Sequence, residues 1–111
     1  MVLFLYWRDR FKIEYKIAKL EKKDDIYYLE IYEEELKKAT RNGCMGIGNI
    51  TFLQKVYKSK ELFSFFKNRI PSKNHPHIDR ILNEYGLKEY DEMQLLKITR
   101  GALVTDRYYL K

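Results

Sequence analysis

Few residues in this chain could start a reaction. His75 and His77 flank Pro76. Two imidazoles are the beginning of a zinc site, but a catalytic zinc takes a third ligand and an open position. Asp79 is near in sequence, yet it falls on an expected helix and points elsewhere, so the pair reads as two exposed loop histidines. Cys44 is the single cysteine, which excludes a disulfide framework or a Cys-based zinc site within one chain. It would need a histidine beside it to act as a nucleophile, and nothing in the sequence brings one there. Gly43, Gly46 and Gly48 sit in six residues, Gly-Cys-Met-Gly-Ile-Gly. They lack the Lys-Ser/Thr of a phosphate loop and the strand-to-helix setting of a dinucleotide fingerprint. The carboxylate runs Asp24-Asp25 and Glu33-Glu34-Glu35 stand at a turn and a helix start, where solvation and the helix dipole explain them. No catalytic set emerges, so the chain reads as a non-enzyme with no cofactor and no metal.

The elements that would position these residues begin with Val2 to Trp7, an apolar run rich in β-formers that reads as a buried strand. Arg8-Asp9-Arg10 makes a turn. Phe11, Ile13, Tyr15 and Ile17 then alternate with Lys12, Glu14 and Lys16, the period of a half-buried strand. Lys22 to Asp25 is a second turn, and Ile26 to Tyr32 a third strand with Tyr27, Leu29 and Ile31 on one face. Short turns between the three imply an antiparallel meander. The period then becomes helical over about residues 33–42, and Gly43 is its stop. A second helix is expected from an N-cap at Ser59 to about Asn68. A third is expected from about His77 to Tyr85, and a fourth after the cap Asp91, with Met93, Leu95, Leu96 and Ile98 inward. Arg107 to Leu110 reads as a last strand returning to the meander. The expected class is α+β in a single domain, residues 1–111.

Composition sets the outer limits. At 111 residues, with 45% apolar and 15% aromatic residues, the chain can bury one core and is no disordered segment. No apolar run reaches the roughly 18–20 residues of a membrane span. Val2 to Trp7 lacks the basic start of a signal peptide. The expected setting is therefore soluble, cytoplasmic and reducing. The net charge is +6, and it is concentrated. Residues 53–80 hold seven basic residues against two acidic ones, whereas the segments before and after are nearly balanced. Such a local field favours an acidic partner, nucleic acid or protein, although a solvated basic face has the same composition.

Candidate partner-binding residues fall in two groups. Ile47, Ile50, Phe52 and Leu53 form an apolar stretch after the glycines, either an exposed contact loop or a short strand completing the sheet. Lys67, Arg69 and Lys73 flank the Pro71–Pro76 loop. Arg69 has a second reading, holding its turn by hydrogen bonds to backbone carbonyls. Phe63 and Phe66 share a helical face with Leu62 and read as core, leaving Phe65 to point away. Trp7, beside Arg8 and Arg10, either anchors a partner or closes the core.

The order of these motifs resembles the N-terminal region of HipA-type kinases. The first block is Ile17-Ala18-Lys19-Leu20, the aromatic strand Ile26 to Tyr32, and Glu35-Leu36-Lys37-Lys38-Ala39. The second is Tyr57-x-Ser59-x-x-Leu62-Phe63-x-Phe65-Phe66-x-Asn68-Arg69-Ile70-Pro71, followed by Leu95-Leu96-x-x-Thr99-x-Gly101 and Thr105-Asp106. The last pattern is also similar to the segment preceding some HIRAN domains. Ser64, Arg100 and Ser72-Lys73 depart from the residues frequent in the kinases, namely proline, glycine and Glu-Gly. The resemblance spans about Val2 to Tyr109 and implies a small antiparallel, partly barrel-like sheet, a three-strand meander plus a C-terminal strand, with about four short helices packed on it. No kinase lobe with an aspartate base or metal-binding residues is present in the chain.

A stand-alone module of this kind resembles the small subunit of tripartite HipBST-type bacterial toxin–antitoxin systems. The resemblance then implies a non-catalytic antitoxin or accessory subunit that docks on a HipA-like serine/threonine kinase and restrains it near its phosphate-binding loop. A DNA-binding helix-turn-helix protein would join through a ternary complex. The alternative, motivated by the basic segment and the HIRAN likeness, is a nucleic-acid-associated module that contacts nucleic acid directly.

Overall fold

The computed structural model describes residues 1–50 and 54–111. The strands β1 (Val2–Arg8), β2 (Glu14–Lys23) and β3 (Ile26–Ile31) form the expected meander. Helix α1 (Glu33–Arg41) follows, with three acids in its first turn and Lys38 and Arg41 in its last. Then come β4 (Val56–Ser59), α2 (Ser64–Lys67), α3 (Ile78–Glu84), α4 (Glu92–Thr99) and β5 (Tyr108–Leu110). The sheet is antiparallel, in the order β4-β3-β2-β1-β5. It is open, with β4 and β5 at opposite edges, so the barrel-like closure implied by the resemblance does not occur. The α+β class, the meander and the returning C-terminal strand are as expected.

Three differences from the sequence reading have local causes. Strand β2 starts at Glu14 rather than Phe11, and Phe11 and Ile13 are exposed. The cause is Asp9, whose buried Oδ1 accepts from the N–H groups of Phe11 and Ile13 and whose Oδ2 accepts from Tyr15 Oη. These bonds fold residues 9–13 into a closed turn before the strand begins. Ser59 is not a helix cap but the end of β4, opposite Tyr27, and its Oγ accepts from the Glu61 N–H. The expected helix shrinks to the single turn of α2. Ile98 is exposed on α4, leaving Met93, Leu95 and Leu96 as the buried face. Asp91 does cap that helix, accepting from Gln94 N–H at 3.1 Å.

The core lies on one side of the sheet. Leu3, Leu5 and Trp7 of β1, Tyr15, Ile17 and Leu20 of β2, and Tyr27, Leu29 and Ile31 of β3 pack against Leu36, Phe66, Leu82, Leu95 and Leu96. A register shift between Leu5 and Tyr6, opposite Ala18 and Lys16, inserts an extra residue, so that Ile17 and Ala18 are both buried. Tyr27 Oη donates to Glu92 at 2.8 Å and ties β3 to α4; burial and that carboxylate push its hydroxyl far above the usual tyrosine range. Phe4, Tyr6, Lys16, Lys19, Tyr28 and Lys58 alternate with these residues and point to the other side, outside the core cluster. The molecule measures 41 × 32 × 20 Å. Its short dimension fits a sheet and one layer of helices at about 10 Å per layer, which leaves the second sheet face open.

Candidate functional site

Arg69 organises the best-built polar cluster among the described residues. Helix α2 is anchored by Phe66, which is fully buried, and the Arg69 N–H closes its end on Phe66 O at 3.0 Å. Helix α4 ends at Arg100, in left-handed backbone, and Gly101 continues in it with φ 56°. That reversal presents Gly101 O to Arg69 Nη1 at 2.9 Å. Five residues on, Asp106 receives the guanidinium as a fork, Nη1 to Oδ1 at 3.2 Å and Nη2 to Oδ2 at 2.5 Å. The charged plane lies over the rings of Phe65 at 4.4 Å and Tyr108 at 5.0 Å, which meet each other edge-on. Tyr108 Oη donates to Gly46 O and lies 3.6 Å from Cys44 Sγ. Burial first, then Cys44 and Asp106, push its hydroxyl far above the usual range. One residue thus joins α2, the turn after α4, the start of β5 and, through Tyr108, the glycine loop.

This cluster is a clamp. The guanidinium Nη atoms are committed to Gly101 O and the Asp106 carboxylate. Arg69 is nearer the second of its two readings, although the carbonyl it holds is that of Gly101 and not of its own turn: its charge is matched by Asp106 and its side chain is 5% exposed. Sequence reasoning had Arg69 and Asp106 in hand as motif residues but did not pair them, since no local pattern links positions 37 apart.

The other sequence candidates separate. Ile47 is fully buried and bridges to Ile50, whose N–H donates to Ile47 O at 3.0 Å, so the stretch after the glycines turns back into the core here instead of projecting. This overturns Ile47 as an exposed contact. Ile50 is half-buried; Phe52 and Leu53 lie outside the described residues. Ile50, Gly48, Phe63, Phe65 and Leu103 line a groove of about 610 Å³ with Arg69 at its side. Lys67 and Lys73 are exposed and share a different groove, of about 700 Å³, with Lys22 and Lys60. Four carboxylates, Glu61, Glu89, Asp91 and Glu92, line the same groove and balance the lysines, with Lys67 Nζ 3.9 Å from Glu61. The basic segment is therefore less one-signed in space than in sequence.

Trp7 closes the core at 5% exposure, tilted against Tyr15. Phe65 does not point away but packs between Phe66 and Tyr108. His75 and His77 are exposed, and the His77 N–H donates to His75 Nδ1 at 3.0 Å. Among the described residues no three His, Cys, Asp or Glu side chains gather as metal ligands. Cys44 is buried. Sequence reasoning missed Asp9. Its signal was an aspartate two residues before Phe11, the spacing of a side chain that caps its own turn.

No protein-family model, no curated protein and no solved structure matches the chain. Among the described residues no helix is long and apolar enough to cross a membrane.

Proposed function

We propose that the protein is a non-catalytic subunit, an antitoxin or accessory component, that binds and restrains a HipA-like serine/threonine kinase in the bacterial cytoplasm. The observation that carries this reading is the convergence at Arg69. The blocks on which the resemblance rests, Phe65-Phe66-x-Asn68-Arg69, Thr99-x-Gly101 and Thr105-Asp106, are far apart in sequence and meet in one buried clamp. Residues that recur in this order then have a common physical task, fixing the loops around the groove lined by Ile50, Phe63 and Leu103. That groove is where a kinase segment would dock, with a rigid base beneath it. A helix-turn-helix protein would be recruited through the kinase.

Co-expression with a HipA-like kinase encoded beside this chain tests the reading. The kinase is expected to co-purify and to lose phosphorylation activity. Leu103→Asp, at a site 39% exposed, is expected to abolish both while the melting temperature holds. A neighbouring kinase that is neither retained nor inhibited ends the proposal.

A further inference from the structure

The β1–β2 turn and the start of β5 border an open cavity of about 470 Å³. Arg8, Arg10, Lys12, Arg100 and Arg107 line it. Its two carboxylates are already engaged, Asp9 by its own turn and Asp106 by Arg69. Arg8 has a partner in Glu14 at 4.0 Å, whereas Arg10, Lys12, Arg100 and Arg107 form no ion pair within 4 Å among the described residues; the charge of Arg107 acts on Asp9, and the Arg100 guanidinium lies 5.3 Å from the Tyr109 centroid. None of these four cations belongs to the basic run of residues 53–80.

Two of them are held in costly backbone. Lys12 has φ 66° and Arg100 φ 62°, the left-handed region that favours glycine. The other two non-glycine residues there, Asp24 and Asp25, form the two-residue hairpin turn that calls for that conformation. Lys12 closes the Asp9-locked turn, its N–H on Asp9 O at 3.0 Å, and Arg100 is the left-handed end of α4; these two turns bring both cations to one cavity from distant parts of the chain.

Rings border the charges. Phe11, at the tip of the Asp9-locked turn, is 69% exposed, with the Arg10 guanidinium 4.9 Å from its centroid. Across the β1–β5 pair, Tyr6 stacks on Tyr109 at 5.6 Å, and the open sheet face carries Lys111 over Tyr6 and Lys16 over Phe4. A ligand for this surface needs dense negative charge and flat apolar groups at short intervals.

We propose that this cavity and the adjoining turn bind single-stranded nucleic acid, phosphates among Arg10, Lys12, Arg100 and Arg107 and a base stacked on Phe11. A duplex would offer phosphates with its base faces closed. A single strand offers both, and a turn already locked by Asp9 loses little freedom on binding.

Fluorescence anisotropy with labelled mixed-sequence RNA and DNA strands of about 12 nucleotides tests this, beside the matching duplexes and polyglutamate. Single strands are expected to bind at about 50 mM salt. Four neutralised phosphates give a slope of log affinity on log salt near about −3, and the RNA and DNA arms identify the sugar. Phe11→Ala should weaken binding roughly 5- to 100-fold with the slope unchanged. Arg100→Gly should lower the slope by about 0.7 while the melting temperature holds or rises, since glycine suits that backbone. Absence of binding at low salt overturns the proposal. So does equal binding of duplex or polyglutamate, or affinity indifferent to Phe11→Ala. No kinase enters these measurements, so their failure and that of kinase co-purification are separate results.

Discussion

Arg69 keeps a full charge in a side chain only 5% exposed, and that is tolerable because Asp106 and Gly101 O meet its Nη atoms. Removing one member of such a pair leaves the other buried without compensation, which typically costs about 3–5 kcal/mol. Arg69→Ala is therefore expected to lower stability by about 3 kcal/mol or more in urea titration. Arg69→Lys should recover only part of this, because an ammonium cannot reproduce the fork. Near-wild-type stability of Arg69→Ala would remove the clamp from the account. Asp9 makes a pH-dependent contribution. Burial works to raise its carboxyl pKa, but the N–H groups of Ile13 and Phe11, the Tyr15 hydroxyl and the charge of Arg107 together hold it below the usual value. A depressed folded-state pKa stabilises above the unfolded value of about 3.9, and the contribution fades as pH falls through the folded value. Thermal melts below about pH 4 should therefore fall more steeply for the wild type than for Asp9→Asn, which should already melt lower at pH 7. Parallel acid limbs for the two proteins would show that Asp9 does not titrate in this way.

The turn from α4 into β5 shows how one element boundary serves several neighbours. A Cβ on Gly101 would lie 2.7 Å from Leu110 Cδ1 and 3.3 Å from Leu96 Cδ2, and the residue has φ 56°. Gly86, with φ 72°, would meet nothing within 4 Å. Gly86→Ala should thus cost only the left-handed backbone, about 1–2 kcal/mol, and Gly101→Ala distinctly more, because Leu110 must move and β5 with it. Equal losses in denaturant would mean that Leu110 yields freely. The same boundaries show what the sequence could reveal. The meander was legible because Val2 to Trp7 is an unbroken run of β-formers and Tyr27, Leu29 and Ile31 repeat at period two, and α4 because Asp91 precedes a helical apolar face. Strand β4 was not, since four residues carry little periodicity and Ser59 mimics a cap. Phe11 and Ile13 kept the strand period while Asp9 took their backbone out of the sheet. The candidate site was legible only as separate pieces. Ile47 looked like an exposed loop residue because the hydrogen bond that folds Ile50 back on it leaves no mark in composition.

At the scale of the whole molecule, one helix layer on one sheet yields a slab with charge spread unequally over its faces. Lys67 and Lys73 line a groove that shares no residue with the Arg8–Arg107 cavity and where carboxylates already balance them. Locally, then, they hold little: among the described residues Lys67 reaches only Glu61, at 3.9 Å, and exposed pairs of this kind are worth about 0–1 kcal/mol. Their effect on an approaching partner is different in kind, because long-range steering follows the summed charge and not the local pairing. Reversing both, Lys67→Glu with Lys73→Glu, leaves the clamp and the core untouched. The melting temperature should scarcely move. Association with the acidic surface of a kinase partner, followed by stopped flow, should slow by up to about tenfold at low salt, and the difference should shrink near 0.15 M, where charges beyond about 8 Å are screened. The dissociation rate should change less, since rim charges act mainly on encounter. A large loss of melting temperature with an unaltered association rate would assign the two lysines to the fold and leave recognition to the groove lined by Ile50, Phe63 and Leu103.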